Sequence, residues 1–270
     1  MNDLKTTKPV TPENELALID DRGDFAIVTI NRPEKRNAMS PAAMRQLRAA
    51  FAQLKDKKVI ILTGTGPSFC AGVDLSATSE MQETEKTRPS AVLNAWTQVQ
   101  ADIRNHRAIF IAAVNGYALG GGSTLVNNAT MAIAAESATI GLPEMGFGGW
   151  PMQAGPAATK RLASKHAAEM IFTARRVDAQ TAYRMAMVNS VVPDATLMDE
   201  AIALAEHIAG FDAQTLDWGK KAFHRMESLD WDDAMDYSEY TSIITRSRTT
   251  SASEGMANFV AGNRGPGQGA

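Results

Sequence analysis

The chain has 270 residues, 44% of them hydrophobic and 21% charged, a balance that suits one large globular domain, or a core plus a small appendage, with a substantial buried interior. Lysine and arginine number 27 against 30 aspartates and glutamates, a formal charge of -3, so no basic face for nucleic acid is advertised. The single cysteine, Cys70, excludes an internal disulfide framework and a cysteine-based zinc site, and it reads as a small buried thiol in a reducing compartment.

Residues 1–14 are polar and lack the apolar stretch of a signal peptide, and no apolar run approaches the ~20 residues of a membrane span. A cytoplasmic protein with a loose N-terminal segment is expected. Strand-like runs follow at 25–30 (FAIVTI), 59–63 (VIILT), 109–114 (IFIAAV) and 131–135 (MAIAA), alternating with helical stretches. That alternation predicts an α/β fold with mostly parallel strands. Between the first two runs Ser40 can cap a helix, Pro41 fits its first turn, and Met44, Leu47, Phe51 and Leu54 recur at helical spacing.

Two glycine-bearing turns follow strands, and each frees the backbone to approach a ligand. The first is Cys70-Ala71-Gly72-Val73-Asp74-Leu75. The second is Asn115-Gly116-Tyr117-Ala118-Leu119-Gly120-Gly121-Gly122, which opens a helix through Ser123-Thr124-Leu125-Val126. N–H groups at a helix start favour developing negative charge. Farther on, Glu144 is bounded by small and apolar residues (ATIGLPE), where burial would raise its pKa toward acid/base use. Gly64-Thr65-Gly66 follows a strand as a dinucleotide fingerprint would, but Phe69 stands at the third glycine. A P-loop lysine, a G-x-S-x-G elbow and metal-ligand spacing are absent, and His106, His166, His207 and His224 are scattered, so no metal is expected. From about Leu197 strand signals give way to helical patterns at 198–210, 213–226 and 231–247, and a Gly/Pro-rich tail begins near Gly262. The expected organisation is a loose segment 1–14, a core 15–197, a helical part 198–261 and a loose tail 262–270.

From about Leu16 to Phe259 the chain resembles the enoyl-CoA hydratase/isomerase (crotonase) family. Five segments carry the likeness in family order: NRPEKRNA from Asn31, SFCAGVDL from Ser68, AAVNGYALGGG from Ala112, ATIGLPEMGFG from Ala138 and RVDAQTAYRMAMVNSVVP from Arg176. The resemblance implies a ββα spiral core whose C-terminal helices support a homotrimer or a dimer of trimers. It also implies an acyl-CoA substrate, with coenzyme A entering as part of that substrate and no separate cofactor. The backbone N–H groups of Val73 and Gly121 would hold the thioester oxygen, and Glu144 would move the proton. Arg36, Ala38, Ala71, Asp74, Leu75, Thr124, Trp150 and Tyr240 are the implied substrate-binding positions. Met81, Trp96, Trp150 and Met152 are candidates for the acyl lining.

Thr124 stands where typical hydratases carry a second glutamate, and Pro151 leads into Met152-Gln153-Ala154-Gly155-Pro156 where they have a glycine-rich stretch. One carboxylate can still serve hydration or isomerisation. A narrower likeness, to hydroxycinnamoyl-CoA hydratase-lyases, extends to the helix beginning at Trp231. There Glu239 occupies the position of their phenol-binding tyrosine, with Tyr240 one step, about 100°, away. Thr78 takes the place of their other tyrosine. The leading expectation is therefore an enoyl-CoA hydratase. The alternatives are an isomerase, a hydratase-lyase, a C–C bond hydrolase acting on a diketone and a non-catalytic scaffold.

Overall fold

The computed structural model describes residues 15–76, 90–263 and 265. Residues 1–14, Thr78, Met81 and the tail beyond Asn263, Gly265 excepted, lie outside the described residues. Two sheets organise the chain. The larger has six strands in the order β1 (Ala17–Asp21), β2 (Phe25–Ile30), β3 (Val59–Gly64), β5 (Ile109–Val114), β7 (Met131–Ala135) and β10 (Ser190–Val192). β1 and β2 form an antiparallel hairpin, and every later pairing in this sheet is parallel. The smaller sheet runs β4 (Ser68–Cys70), β6 (Tyr117–Leu119), β8 (Thr139–Gly141) and β9 (Arg176–Asp178).

β3, β5 and β7 each hand the chain to a short strand of the second sheet and then to a helix, so this unit recurs three times. β3 and β4 precede α2 (Ser90–Asn105), with α1 (Pro41–Gln53) lying earlier in the chain. β5 and β6 precede α3 (Gly121–Asn128), and β7 and β8 precede a 3-10 turn at Pro143–Phe147 and α4 (Ala154–Arg161). After them come α5 (Ser164–Thr173), α6 (Ala179–Arg184), α7 (Leu197–Ala209), α8 (Ala213–Met226), α9 (Trp231–Arg248) and α10 (Ser251–Val260).

The four strand runs read from sequence are the buried centre of the large sheet, and their alternation sorts side chains onto two faces. Val28, Ile60, Leu62, Phe110 and Ala112 face α1 and the small sheet, where Met44, Leu47, Phe51 and Phe69 meet them. Ile27, Val59, Ile61, Ile111 and Ile133 face the other way and are covered by Leu197, Ala201, Ala205 and Ile208 of α7. Ser40 caps α1, its hydroxyl accepting from the Ala43 N–H at 3.2 Å, and Pro41 occupies the first turn. Asp212 and Asp230 cap α8 and α9 in the same way. No residue of α9 is buried. Among the described residues, no helix is long and apolar enough to cross a membrane.

Candidate active site

The first glycine turn is fixed from behind by the segment after β2. Ala71 N–H donates to Arg36 O at 3.0 Å, Met39 N–H to Gly72 O at 2.8 Å, and Asp74 N–H to Met39 O at 3.1 Å. Met39 and Val73 thus form an isolated parallel bridge. To present these groups the chain enters the left-handed region twice in succession, at Arg36 (φ 50) and Asn37 (φ 59). Asparagine tolerates that conformation because its short amide can bond locally. The Asn37 side chain is fully buried, accepts from Arg32 N–H at 2.8 Å, and donates to Thr65 O and Ser68 O at 3.0 and 2.6 Å. Sequence reading passed over Asn37; the polar residue in mid-turn between Arg36 and Ala38 was the available signal.

The second glycine turn meets the first. A Cβ on Gly72 would lie 3.3 Å from Gly121 N and 2.8 Å from Leu119 O, so the two backbones approach in a way that a side chain would prevent. Gly121 is the first residue of α3. Among the described residues, neither the Val73 nor the Gly121 N–H finds an acceptor, while both residues line one cavity. Two unspent donors beside a helix start are what a developing oxyanion needs.

Glu144 enters from the 3-10 turn after β8. Gly148, in the left-handed region at φ 78, closes that turn, and Gly149 N–H donates to Glu144 O at 3.0 Å. The carboxyl lies against the second glycine turn: a Cβ on Gly120 would sit 3.0 Å from Glu144 Oε1. Oε2 is buried and has no hydrogen-bond partner. Burial raises the pKa of this carboxyl above the usual range, and a hydrogen bond from its own backbone N–H pulls it partly back. A carboxylate with one oxygen unpartnered, beside unspent donors, is equipped to exchange protons with a bound molecule.

The cavity has a volume of about 260 Å³. It brings together Glu144, Val73, Gly121, Ala71, Leu75, Thr124 and Trp150 of the sequence candidates, along with the proposed acyl lining Trp96 and Met152. Thr124 Oγ1 is turned back to donate to Gly120 O at 3.2 Å. Trp150 is exposed and tilts against Phe172, ring centroids 5.8 Å apart. Phe147, which sequence reading did not single out, joins the lining from the same turn as Glu144.

Arg36, Ala38, Asp74 and Tyr240 do not line the cavity. Ala38 O accepts from Arg32 Nη1, and the Asp74 carboxylate pairs with Arg32 and accepts from the Ser76 N–H and hydroxyl. Tyr240 stands exposed on α9. Among the described residues, no cluster of three or more histidine, cysteine or acidic side chains could hold a metal ion.

Comparison with known proteins gives this geometry its context. Residues 21–264 match the family model for enoyl-CoA hydratase/isomerase. A probable enoyl-CoA hydratase of Rhizobium meliloti is 34% identical over 255 residues, covering 92% of this chain and 95% of the relative. A short-chain-enoyl-CoA hydratase of Clostridium acetobutylicum is 33% identical over 223 residues, 81% of this chain and 84% of the relative. Among solved structures, an enoyl-CoA hydratase from Bacillus anthracis superposes with a TM-score of 0.85 at 28% identity, covering 94% of this chain and all 100% of the other. The human enoyl coenzyme A hydratase domain-containing protein 3 superposes at 0.86 with 26% identity, over 93% and 99% of the two chains. The ββα core expected from the sequence is thus the crotonase fold, and the chain belongs to the enoyl-CoA hydratase/isomerase family.

Proposed function

We propose that the protein is an enoyl-CoA hydratase in which Glu144 alone moves the protons. The observation that carries this reading is Glu144, whose Oε2 is buried and has no hydrogen-bond partner, lining the same cavity as Val73 and Gly121. In the forward direction the carboxylate takes a proton from water as its oxygen bonds to the β-carbon, and the thioester becomes an enolate. The two N–H groups hold the enolate oxygen, and the proton on Glu144 passes to the α-carbon, so the elements of water are added and the base is regenerated. Losing one oxyanion donor of this kind costs about 2.7–4 kcal/mol of transition-state stabilisation. Coenzyme A enters as part of the substrate, and no other cofactor takes part. The relatives' names, probable and short-chain-enoyl-CoA hydratases, support hydration over the other reactions of the family. A cytoplasmic location and a homotrimer or dimer of trimers are further parts of this proposal.

Double-bond isomerisation is the second reading, favoured by Thr124, whose hydroxyl is spent on Gly120 O and leaves one carboxylate to shuttle a proton between carbons. The test is deuterium uptake at the α-carbon of a panel of acyl-CoAs in heavy water, with loss of conjugated enoyl-thioester absorbance followed in parallel. Both activities should be present in the native protein and lost in Glu144→Gln. Exchange that survives the substitution removes Glu144 from its role, and exchange without hydration favours the isomerase.

A further inference from the structure

Trp96, on α2, has an unusual position for a buried tryptophan. It is 1% exposed, yet its indole N–H donates to no described residue. Buried tryptophans usually find a partner for that group, because an unsatisfied donor costs about 1–3 kcal/mol. Glu144 Oε2 counts among the described side-chain atoms sealed away without a partner, and Trp96 Nε1 does not. Trp96 lines the catalytic cavity, so this indole, with no described partner for its N–H, stands at the cavity wall.

The ring is also placed beside the reacting centre. A Cβ on Gly121 would lie 3.1 Å from Trp96 Cζ2 and 3.4 Å from Cε2, the ring carbon bonded to Nε1. Gly120, the preceding residue, is flanked by Glu144 Oε1. The indole edge and the carboxyl thus sit at successive residues of one turn. The hydroxyl of Thr124, the other polar side chain at that turn, donates to Gly120 O.

We propose that Trp96 Nε1–H donates a hydrogen bond to the oxygen that is added to, or leaves from, the β-carbon of the acyl group. The inference rests on the hydratase reading above. An indole N–H donates only, so it takes no proton and adds no second base. It fixes the water through its oxygen and leaves a water proton directed at Glu144. In the reverse direction it holds the β-hydroxyl of a 3-hydroxyacyl-CoA. The atoms balance as in hydration by Glu144 alone, since the tryptophan keeps its proton throughout. The substrate class that follows is a thioester with a β-oxygen in one of its two forms, which an isomerase substrate lacks.

Trp96→Phe keeps an aromatic ring in the same place and removes the N–H. Two rates would be measured on the full-length native protein and on the variant: hydration of crotonyl-CoA, and α-proton exchange of butyryl-CoA in heavy water, which involves no β-oxygen. The ratio of hydration to exchange should fall about tenfold or more in the variant, the scale of one lost hydrogen bond in a transition state. Because exchange reports the oxyanion hole and Glu144, a fall shared equally by both rates would assign Trp96 to packing against Gly121 and overturn the proposal. An unchanged ratio overturns it too. Native protein that exchanges without hydrating overturns this proposal and the hydratase reading while sparing the enolate chemistry, and native protein that does neither overturns the reading of the site itself.

Discussion

Arg32 Nη1 lies 2.6 Å from Asp74 Oδ2 and 3.0 Å from Ala38 O, so one guanidinium joins the turn after β2 to the residue that follows Val73. The two side chains are only 17% and 9% exposed. Removing one partner of such a pair leaves an uncompensated buried charge, at a cost of about 3–5 kcal/mol. Asp74→Asn should therefore cost stability near the bottom of that range, read as a lower urea midpoint, because the amide still accepts one bond and Glu34 stays 3.7 Å from Arg32. Since the pair anchors the residue that follows Val73, kcat should fall by roughly tenfold or more while KM changes less, as expected when a catalytic group is misplaced. A loss confined to KM would make Asp74 a substrate ligand, as the family likeness implies.

The pH dependence of Glu144 has a definite sign. Burial raises its folded-state pKa above the unfolded value. The folded protein therefore binds this proton more tightly, and ionising Glu144 disfavours the fold. That cost is absent below the ordinary carboxylate pKa, grows as pH rises through the folded value, and is complete above it. Glu144→Gln should be more stable than the native protein at neutral pH, with the difference vanishing in acid. Chemical denaturation at pH 7 and pH 4 checks this, and a difference that grows on acidification would contradict it. In the native enzyme the acidic limb of kcat/KM should lie above the usual carboxylate range for the same reason.

Gly120 adopts φ 52 and ψ -112, outside the regions that L-residues populate, and a Cβ there would meet Glu144 Oε1 at 3.0 Å. Gly120→Ala should cost about 1–3 kcal/mol in strain. It should also push the carboxyl from its place, so kcat for α-proton exchange falls on the order of a hundredfold. Far-ultraviolet circular dichroism alongside the exchange assay separates the two effects.

The long strands were legible because β2, β3, β5 and β7 are continuous apolar runs bounded by turn residues. The strands of the second sheet were not: β4, β6 and β8 have three residues each, too few to show a period, and they sit inside the glycine motifs. Glu144, Val73 and Gly121 were singled out by glycine turns, an apolar-flanked carboxylate and five motifs in order, and the structure brings those three residues to one cavity. Asp74 pairs with Arg32 forty-two residues earlier, a contact that the motif beside the oxyanion segment does not announce. Trp96, Val99 and Ile103 repeat at helical spacing along α2 and are buried, a pattern left unread beside the more conspicuous glycines that follow.

Lys220 on α8 is 5% exposed, and its Nζ donates to Ile103 O, His106 O and Ala108 O at 2.9, 2.7 and 2.7 Å; burial pushes its pKa down to about 7, while three acceptors around one nitrogen favour the ammonium form, which alone has three N–H donors. Those carbonyls belong to the end of α2 and the entry to β5, where the chain turns toward the second glycine motif. A cation at a helix C-terminus is favoured by the dipole, and three charge-assisted bonds satisfy carbonyls that the ending helix leaves open. The Nζ also lies 5.2 Å from the Phe110 ring centroid, so the stem and head together tie α8 to the core. Lys220→Met fills similar volume and withdraws all three donors. It should destabilise the protein by about 2–3 kcal/mol, since a hydrogen bond to a charged group contributes about 1.5–3 kcal/mol and the lost desolvation cost of the ammonium offsets part of the sum. Lys220→Arg should recover little, because a planar fork does not reproduce three bonds converging on one nitrogen. Urea unfolding of both variants decides the matter: if the methionine variant equals the native protein in midpoint, the three contacts contribute nothing net, and burial of the aliphatic stem alone holds α8 in place.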